Sequence, residues 1–451
     1  MTQENKNKYW LKSGMYSFFE KGAGFVFNFG SVLLLLRSLS VEDMGAWFLF
    51  LTVCAFLEVS RIGLLRNALV KYIAADGGKN YQAILSASFF LNCLLTLFYI
   101  GFLLTGATWL SRLWEHEGLT LLFQIYAITT VVLMPFNQFN YIQQANMDFQ
   151  GIFWSGIAKQ GLFFFYVLFL WLTQTSIELH HLALAQIVAI AVGLCISYYY
   201  AIPYLRFSRS LDWTWVKELF NFGRFAIGTN LSSMLYKSMD KMMLGSMVSV
   251  AAVAIYEIAI KVTNLLEIPT LSAAPVVFPQ SAKDAAEKGN HAVAELYEKS
   301  VGLILTLIIP CVLVVQLIPE LIITLIAGDQ YLETVPLLRI VIFFGMFTPF
   351  LYQTGMALES IGKPNINFYF TLASFFLNLL LNALFITLFG IIGAAYGTLI
   401  TYVIVFSAGQ FMLHKLVGVQ TQNIFLNIVY FYKKGFSYLQ HRYKVQMTNT
   451  K

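Results

Sequence analysis

Charged residues are scarce in this sequence. Asp, Glu, Lys and Arg make up 12% of its 451 positions, about half the roughly 25% of a soluble domain. With 58% hydrophobic residues and a mean hydropathy of +0.68, that scarcity excludes a water-soluble globular chain and points to one that crosses a bilayer repeatedly. Cysteine is scarce too. Cys54, Cys93, Cys195 and Cys311 lie far apart in apolar stretches, so no pair has metal-ligand or redox spacing. No GxxxxGK[ST] loop is present to cradle a nucleotide, and neither direct ATP use nor a cofactor is expected. Long polar segments are missing as well. The longest connection between apolar runs is 277–299, so no soluble catalytic domain hangs from the chain.

What is present is a series of apolar runs of about 20 residues, the length that crosses a hydrocarbon core of about 30 Å. They fall near 13–36, 44–60, 82–109, 119–141, 151–173, 181–203, 219–246, 251–276, 300–318, 334–357, 365–389 and 393–413. The expectation is an all-α polytopic membrane protein with about twelve transmembrane helices. Glu20 and Lys21 interrupt the first run and no small-residue cleavage site follows, so it reads as a retained span and not a secretory leader. An even number of spans puts both termini on one side, and the Lys/Arg distribution tests this. Loops on the terminal side carry twenty of these residues, whereas the opposite loops carry only Arg37 and Arg112. Both termini are therefore expected in the cytoplasm, and the net charge of +6 is a topology signal, not a nucleic-acid footprint. After His414, Ile424, Ile428, Phe431 and Tyr432 recur at helical spacing beside Lys433 and Lys434. This pattern reads as an interfacial amphipathic helix, with a thirteenth span as the other reading.

The chain also repeats itself weakly. SVEDMGAW at 40–47 and SVAAVAIY at 249–256 each open a span, 209 positions apart. Two pseudo-symmetric six-helix lobes follow, 1–203 and 219–414, joined by a cytoplasmic linker at 204–218 and followed by a tail at 415–451. Such repeats favour a transporter whose site lies around a central cavity between the lobes.

Lipid cannot solvate polar groups, so those within spans are expected to face the bundle interior or a wet cavity. Several share a helix face: Glu257, Lys261 and Asn264; Asn367, Thr371, Ser374, Asn378 and Asn382; Lys21, Gly24, Asn28 and Ser31; Asn137, Asn140 and Gln144. One such amide reads as interhelical glue, but so many stripes together favour a hydrated cavity. Seven cations fall within the expected spans: Lys21, Lys159, Arg224, Lys237, Lys241, Lys261 and Arg339. Arg224, Lys241 and Arg339 lie close enough to a span end to snorkel. Lys21, Lys159, Lys237 and Lys261 lie deeper and need a partner or an anionic ligand. Glu257 precedes Lys261 by four residues, the favourable order for a helical ion pair, and Lys237 has Asp240 at i+3. Lys159 has no acid on its own helix, and Lys21 has only Glu20, expected to point elsewhere. An excess of deep cations suits an anionic cargo, and ammonium groups suit phosphate. Lys21, Lys159 and Lys261 are the expected binding set. Glu58, Glu257 and Glu267 are the candidate carboxylates for ion coupling.

The sequence resembles the oligosaccharide flippases of the multidrug/oligosaccharidyl-lipid/polysaccharide exporter superfamily. The resembling segments are LRSLSVEDMGAWFLF and GLLRNALVKYIA in the first half, and KSMDKMMLGSMVSVAAVAIYEIAIKVTNL with VVFPQSAK in the second. Near the end comes ALESIGKPNINFYFTLASFFLNLLLNALFITLFGIIGAAYGTLITYV. The resemblance implies two six-helix lobes around a cationic cavity in the bacterial cytoplasmic membrane. It also implies transfer of undecaprenyl-diphosphate-linked sugar units between leaflets by alternating access. It makes the lipid-linked oligosaccharide and membrane lipid the partners, with a polysaccharide polymerase and glycosyltransferases as neighbours in the pathway. It places Asp240 and Lys241 at an acidic-basic pair of the seventh span, Lys261 at a basic position of the eighth, and Arg66 at a charged position near the cytoplasmic end of the second. Lys237 or Lys261 is then the cargo-facing residue, and Asp240 fixes packing.

Two other classes compete. A drug or cation antiporter of the same fold would want a cavity dominated by acids, which the deep cations dilute. A membrane polymerase or ligase would need catalytic Arg or His on a sizeable outward loop. His116, His180 and His181 are the only outward histidines, and adjacent residues on a helix diverge, which argues against a metal at the last two.

Overall fold

The computed structural model describes residues 3–76, 79–272 and 289–449, with positions 277, 281 and 287 between. Every regular element among them is a helix, as a bilayer requires of any segment that must satisfy its own backbone. In chain order they are α1 (Gln3–Ser38), α2 (Val41–Arg61), a π-helical turn (Ile62–Arg66), α3 (Asn67–Asp76), α4 (Tyr81–Leu113), α5 (Gly118–Ala145), α6 (Gln150–Leu172), α7 (Leu179–Ala201), α8 (Trp213–Met247) and α9 (Val250–Leu265). There follow α10 (Asn290–Leu317), α11 (Pro319–Ile326), α12 (Val335–Val341), α13 (Phe344–Ser360), α14 (Pro364–Val417) and α15 (Thr421–Asn449).

The repeated motif has a local cause. Ser40 is the N-cap of α2: its Oγ accepts from the Asp43 backbone N at 3.0 Å and donates to the Asp43 carboxylate. Glu42 and Asp43 lie in the first turn, where acids complement the helix dipole. Ser249 plays the same part before α9, accepting from Ala252 N at 3.1 Å. The two helix starts also touch. A Cβ at Gly45 would lie 1.9 Å from the Val250 carbonyl oxygen, so only glycine allows this approach.

The chain forms two compact units, Met1–Ser238 with Ser249–Ala254, and Met239–Val248 with Ile255–Lys451. In the first, α1 packs on α6, α6 on α7, α7 on α5 and α5 on α4. The beginning of α8 joins this unit through Val216 and Leu219, which share a buried cluster with Leu65, Leu69, Ile84 and Ile142. The second expected span is longer than its apolar run. Through the π turn it continues from α2 into α3, giving an apolar helical stretch of Val41–Ile73.

In the second unit, α14 is two limbs and not one rod. Gly390 has φ 60° and ψ −133°, a backbone region open to glycine and strained for other residues. The limbs run back along each other. Asn378 and Asn382 both donate to Thr398 Oγ1 at 3.2 Å, and Gly393 sits against the Phe385 carbonyl. The tail helix α15 packs lengthwise on α10. Glu298 accepts from the Gln420 backbone N at 2.6 Å and from Asn423 Nδ2 at 2.8 Å, while Ile424 and Ile428 are buried. Further along, Tyr432 Oη donates to the Thr306 carbonyl at 2.9 Å. Pro310, inside α10, lacks the N–H that would otherwise bond that carbonyl four residues back.

Among the described residues, eight helices are long and apolar enough to cross a membrane, or nine if the pair Asp329–Val341 and Phe344–Ser360, bent by 47°, acts as one. The long element Pro364–Val417 is a single one of the eight but supplies two limbs. The helices over the seventh and eighth expected spans, α8 and α9, fall outside that number. They are also the ones that carry Lys237, Asp240, Lys241, Glu257 and Lys261.

Candidate functional site

The first unit holds a cavity of about 390 Å³ walled by α1, α2, α5, α6 and α7. Its polar lining comes from Asn28, Glu58, Asn137, Lys159, Gln160 and Gln186. The amides are partly paired: Asn28 Nδ2 donates to Gln160 Oε1 at 3.1 Å and Asn137 Nδ2 to Glu58 Oε2 at 2.6 Å. Lys159 is different. Its Nζ stands 5.1 Å from the centre of the Phe136 ring, a cation–π contact. Glu58 and Glu20 reach it only through the electrostatic field. It therefore offers a charge with unused donors to whatever enters the cavity. Glu20 was expected to point away, but it packs on α6, 3.3 Å from where Gly156 would carry a Cβ. There it feels both Lys21 and Lys159. Lys21 itself is exposed on α1, and Arg66 is half-buried at the end of the π turn, outside the cavity lining.

Behind Glu58 lies a residue that sequence reasoning missed. Arg61, taken as a cytoplasmic loop cation, is the last residue of α2 and is 0% exposed. Its Nε is 3.6 Å from Glu58 Oε1, its Nη1 donates to Asn92 Oδ1 at 3.3 Å, and its guanidinium lies over Tyr99 at 5.3 Å. Asn92 passes the chain to Gln138 at 2.9 Å, and Gln138 donates to Ser88 at 3.0 Å. The apolar run ended at residue 60, which put Arg61 in a loop. The signal that could have found it is IGLLRNALV, whose Leu64, Leu65, Ala68 and Leu69 keep helical spacing past the charge.

The second unit holds the charges of α8 and α9. Asp240 is spent locally: Tyr256 Oη donates to its Oδ2, and its Oδ1 accepts from the Lys241 backbone N at 2.9 Å. Lys237 is exposed. Glu257, 11% exposed at its side chain, meets Lys241 Nζ at 3.1 Å through Oε2 and Lys261 Nζ at 3.6 Å through Oε1. Lys241, expected to snorkel, is thus an inward partner with 15% of its side chain exposed. Glu267 is half-buried in the turn after α9.

Two stripes expected to wet a cavity instead close helix contacts. Asn378 and Asn382 join the limbs of α14, and Asn140 accepts from Ser155 and Ser197, tying α5 to α6 and α7. Donor atoms of Glu178, His180 and His181 lie within 4.8 Å of one another, because Glu178 Oε2 meets His180 Nδ1 at 3.2 Å. The divergence expected of adjacent histidines does not keep them apart.

The sequence model of a family described as polysaccharide biosynthesis protein matches residues 34–336, well over half of the chain. The chain belongs to this family. A probable low-salt glycan biosynthesis flippase of Haloferax volcanii is 23% identical over 188 residues, which cover 42% of this chain and 40% of that one. Among solved structures, the inward-facing conformation of a multidrug resistance MATE family transporter of the MOP superfamily has a TM-score of 0.74 at 16% identity, covering 87% of this chain and 95% of that one. The lipid II flippase MurJ, in an inward closed conformation, also gives 0.74, at 13% identity, with 93% and 90% covered. The family member described here is thus a multi-pass membrane protein with the two-lobe fold of that superfamily. The Haloferax relative and the two solved structures bear the names of flippases or transporters.

Proposed function

We propose that this polysaccharide biosynthesis family member is a flippase. It would move undecaprenyl-diphosphate-linked oligosaccharide from the cytoplasmic to the outer leaflet of the cytoplasmic membrane, with both of its own termini in the cytoplasm. The observation that carries this reading is the Lys159 cavity. A half-buried ammonium with free donors suits a phosphate group. Around it converge amides and a carboxylate, which hydrogen-bond vicinal hydroxyls of sugars. The volume falls within the roughly 300–1,000 Å³ of small-molecule sites. Lys21, Lys237, Lys261 and Arg66 supply further positive charge for an anionic cargo in transit, and alternating access by the two lobes supplies the motion. Family membership and the name of the Haloferax relative, a probable glycan biosynthesis flippase, support the same reading. Glycosyltransferases that build the cargo and a polymerase that consumes it are the expected functional neighbours.

The test is export in a strain that lacks its own copy of the gene. Lys159→Gln is expected to cut surface polysaccharide at least about tenfold, a loss of about 1.4 kcal/mol of binding, at unchanged protein level in the membrane. Lys159→Arg should retain part of the activity, because charge is kept while ammonium geometry is lost. Full export by Lys159→Gln at native expression would remove the support for this reading.

A further inference from the structure

Three side chains that can ligate a metal meet where α7 begins. Glu178 is the N-cap of that helix, with extended backbone at φ −103° and ψ 140°, and His180 and His181 stand in its first turn. A side-chain oxygen at an N-cap ordinarily accepts from a free N–H of that turn. Glu178 makes no such bond. Its Oε2 lies instead 3.2 Å from His180 Nδ1, and the ring of His181 is 4.2 Å from that of His180, inclined at 52°. One ligand atom from each of the three falls within 4.8 Å of the others. Residues two apart inside a helix do not face each other, but the extended cap swings its side chain alongside the helix, and that brings the carboxylate to the imidazoles.

We propose that Glu178, His180 and His181 form a three-ligand site for a zinc ion, on the side of the membrane proposed above to face outward. The spacing suits the ion. Ligand atoms around a tetrahedral zinc lie roughly 3.3 Å apart, given bonds of about 2.0–2.1 Å. Glu178 and His180 already stand at that separation, and rotation about side-chain bonds covers the remainder for His181. The donor set suits it too. Two imidazoles with one carboxylate take zinc in preference to magnesium or calcium, which want oxygen ligands. The carboxylate also offsets half of the ion's charge. Three protein ligands leave a fourth position to water. Entry is open, because 61% of the Glu178 side chain and 34% of that of His180 are exposed. An ion pair between Glu178 and His180 accounts for one imidazole; the second, brought to the same place, is what a metal uses. His181 also lines a groove of about 520 Å³ between α6 and α7, walled elsewhere by side chains such as Leu162, Leu184 and Val188. Coordination fixes His181 at that groove and ties the end of the loop before α7 to the first turn of the helix. Zinc thereby holds the outward end of the α6–α7 hairpin in one arrangement.

The experiment titrates the purified full-length protein, prepared without a histidine tag and held in nanodiscs, with zinc chloride in a calorimeter. Magnesium chloride is the control. Wild type is expected to bind one zinc ion per chain, to show no saturable magnesium binding, and to melt at a higher temperature with zinc than without. His180→Ala and His181→Ala should each weaken zinc binding at least about tenfold, since even the groups that merely orient a metal ligand are worth that much. Both should lose the zinc-dependent rise in melting temperature. Glu178→Gln keeps the shape of the side chain and removes its charge, and is expected to change binding in the same direction. It carries the test if an alanine variant fails to fold. A wild type that binds no zinc saturably would overturn the proposal and leave the ion pair alone. Binding of unchanged strength in the variants would place the ion elsewhere, and magnesium bound as tightly as zinc would mark only an exposed carboxylate; either result also overturns it. The zinc site does not depend on the flippase reading, which the Lys159 export test decides separately.

Discussion

At the scale of single residues, the distinction that matters is between charges already answered by the protein and charges left for a ligand. Asp240 and Arg61 belong to the first kind. Asp240 is held by Tyr256 and a backbone N–H, and Arg61 by Glu58, Asn92 and the Tyr99 ring. Lys159 belongs to the second, with an aromatic ring beneath it and a cavity in front. Because Arg61 is fully buried, its replacement leaves Glu58 without its cation and Asn92 without its donor. Arg61→Leu is therefore expected to destabilise the protein by about 3 kcal/mol, as breaking one half of a buried pair does. The loss should appear as a lower thermal midpoint in detergent, and an unshifted midpoint would show that the pair contributes nothing. Lys159→Gln removes a charge that no carboxylate holds, so it should change export and leave that midpoint in place. The comparison of these two lysine and arginine variants separates packing from cargo binding.

At the scale of elements, the tail helix shows how a pattern can be legible while its placement is not. The spacing of Ile424, Ile428, Phe431 and Tyr432 marks an amphipathic helix, and α15 is helical over that stretch with Ile424 and Ile428 buried. Its partner is another helix. The apolar stripe lies along α10, Glu298 accepts from the Gln420 backbone N–H and the Asn423 side-chain amide, and Tyr432 answers the carbonyl left free by Pro310. Phe425, Leu426, Val429 and Tyr430 are exposed on the other side, a surface suited to lipid. A chain ended after Gly418 would uncover the stripe and strand a buried carboxylate. It is expected to lose more than about 3 kcal/mol of stability, given about 1.5–3 kcal/mol for each buried isoleucine. A thermal midpoint equal to that of the full chain would refute the packing role. The hairpin of α14 makes the same point from a single residue: the apolar runs on either side of Gly390 were readable, and so was a break between them, but the fixed reversal depends on a φ that only glycine adopts freely.

At the scale of the whole molecule, orientation is the property that sequence speaks to most directly, through the clustering of Lys and Arg in alternate loops. A reporter fused after His414 is expected to behave as cytoplasmic, and a signal from the opposite side would reverse the orientation proposed here. Arg61, Arg66 and Lys71 leave the loop count, because they lie within the helical stretch Val41–Ile73, yet the bias survives their removal. The helical class and the apolar lengths followed from composition and periodicity, since a bilayer admits few alternatives to a helix. The two motifs that open α2 and α9 were legible as well, and the structure adds that each begins with a capping serine, a contact set by neighbours a few positions away. The deep cations were also visible, as residues too far from a span end to reach water. The pairing of Lys261 with Glu257 along one helix was visible from its spacing, but partnerships between helices were not. The pairing of Lys241 with Glu257, the burial of Arg61 against Asn92 and the freedom of Lys159 join residues on different helices. Those distances are set by how helices pack and cross, and neither spacing along one chain segment nor composition encodes them. Local chemistry determined the elements and their capping. Only the tertiary structure decided which charges are neutralised and which remain available to a ligand, because burial and partnership arise when separate helices bring their faces together.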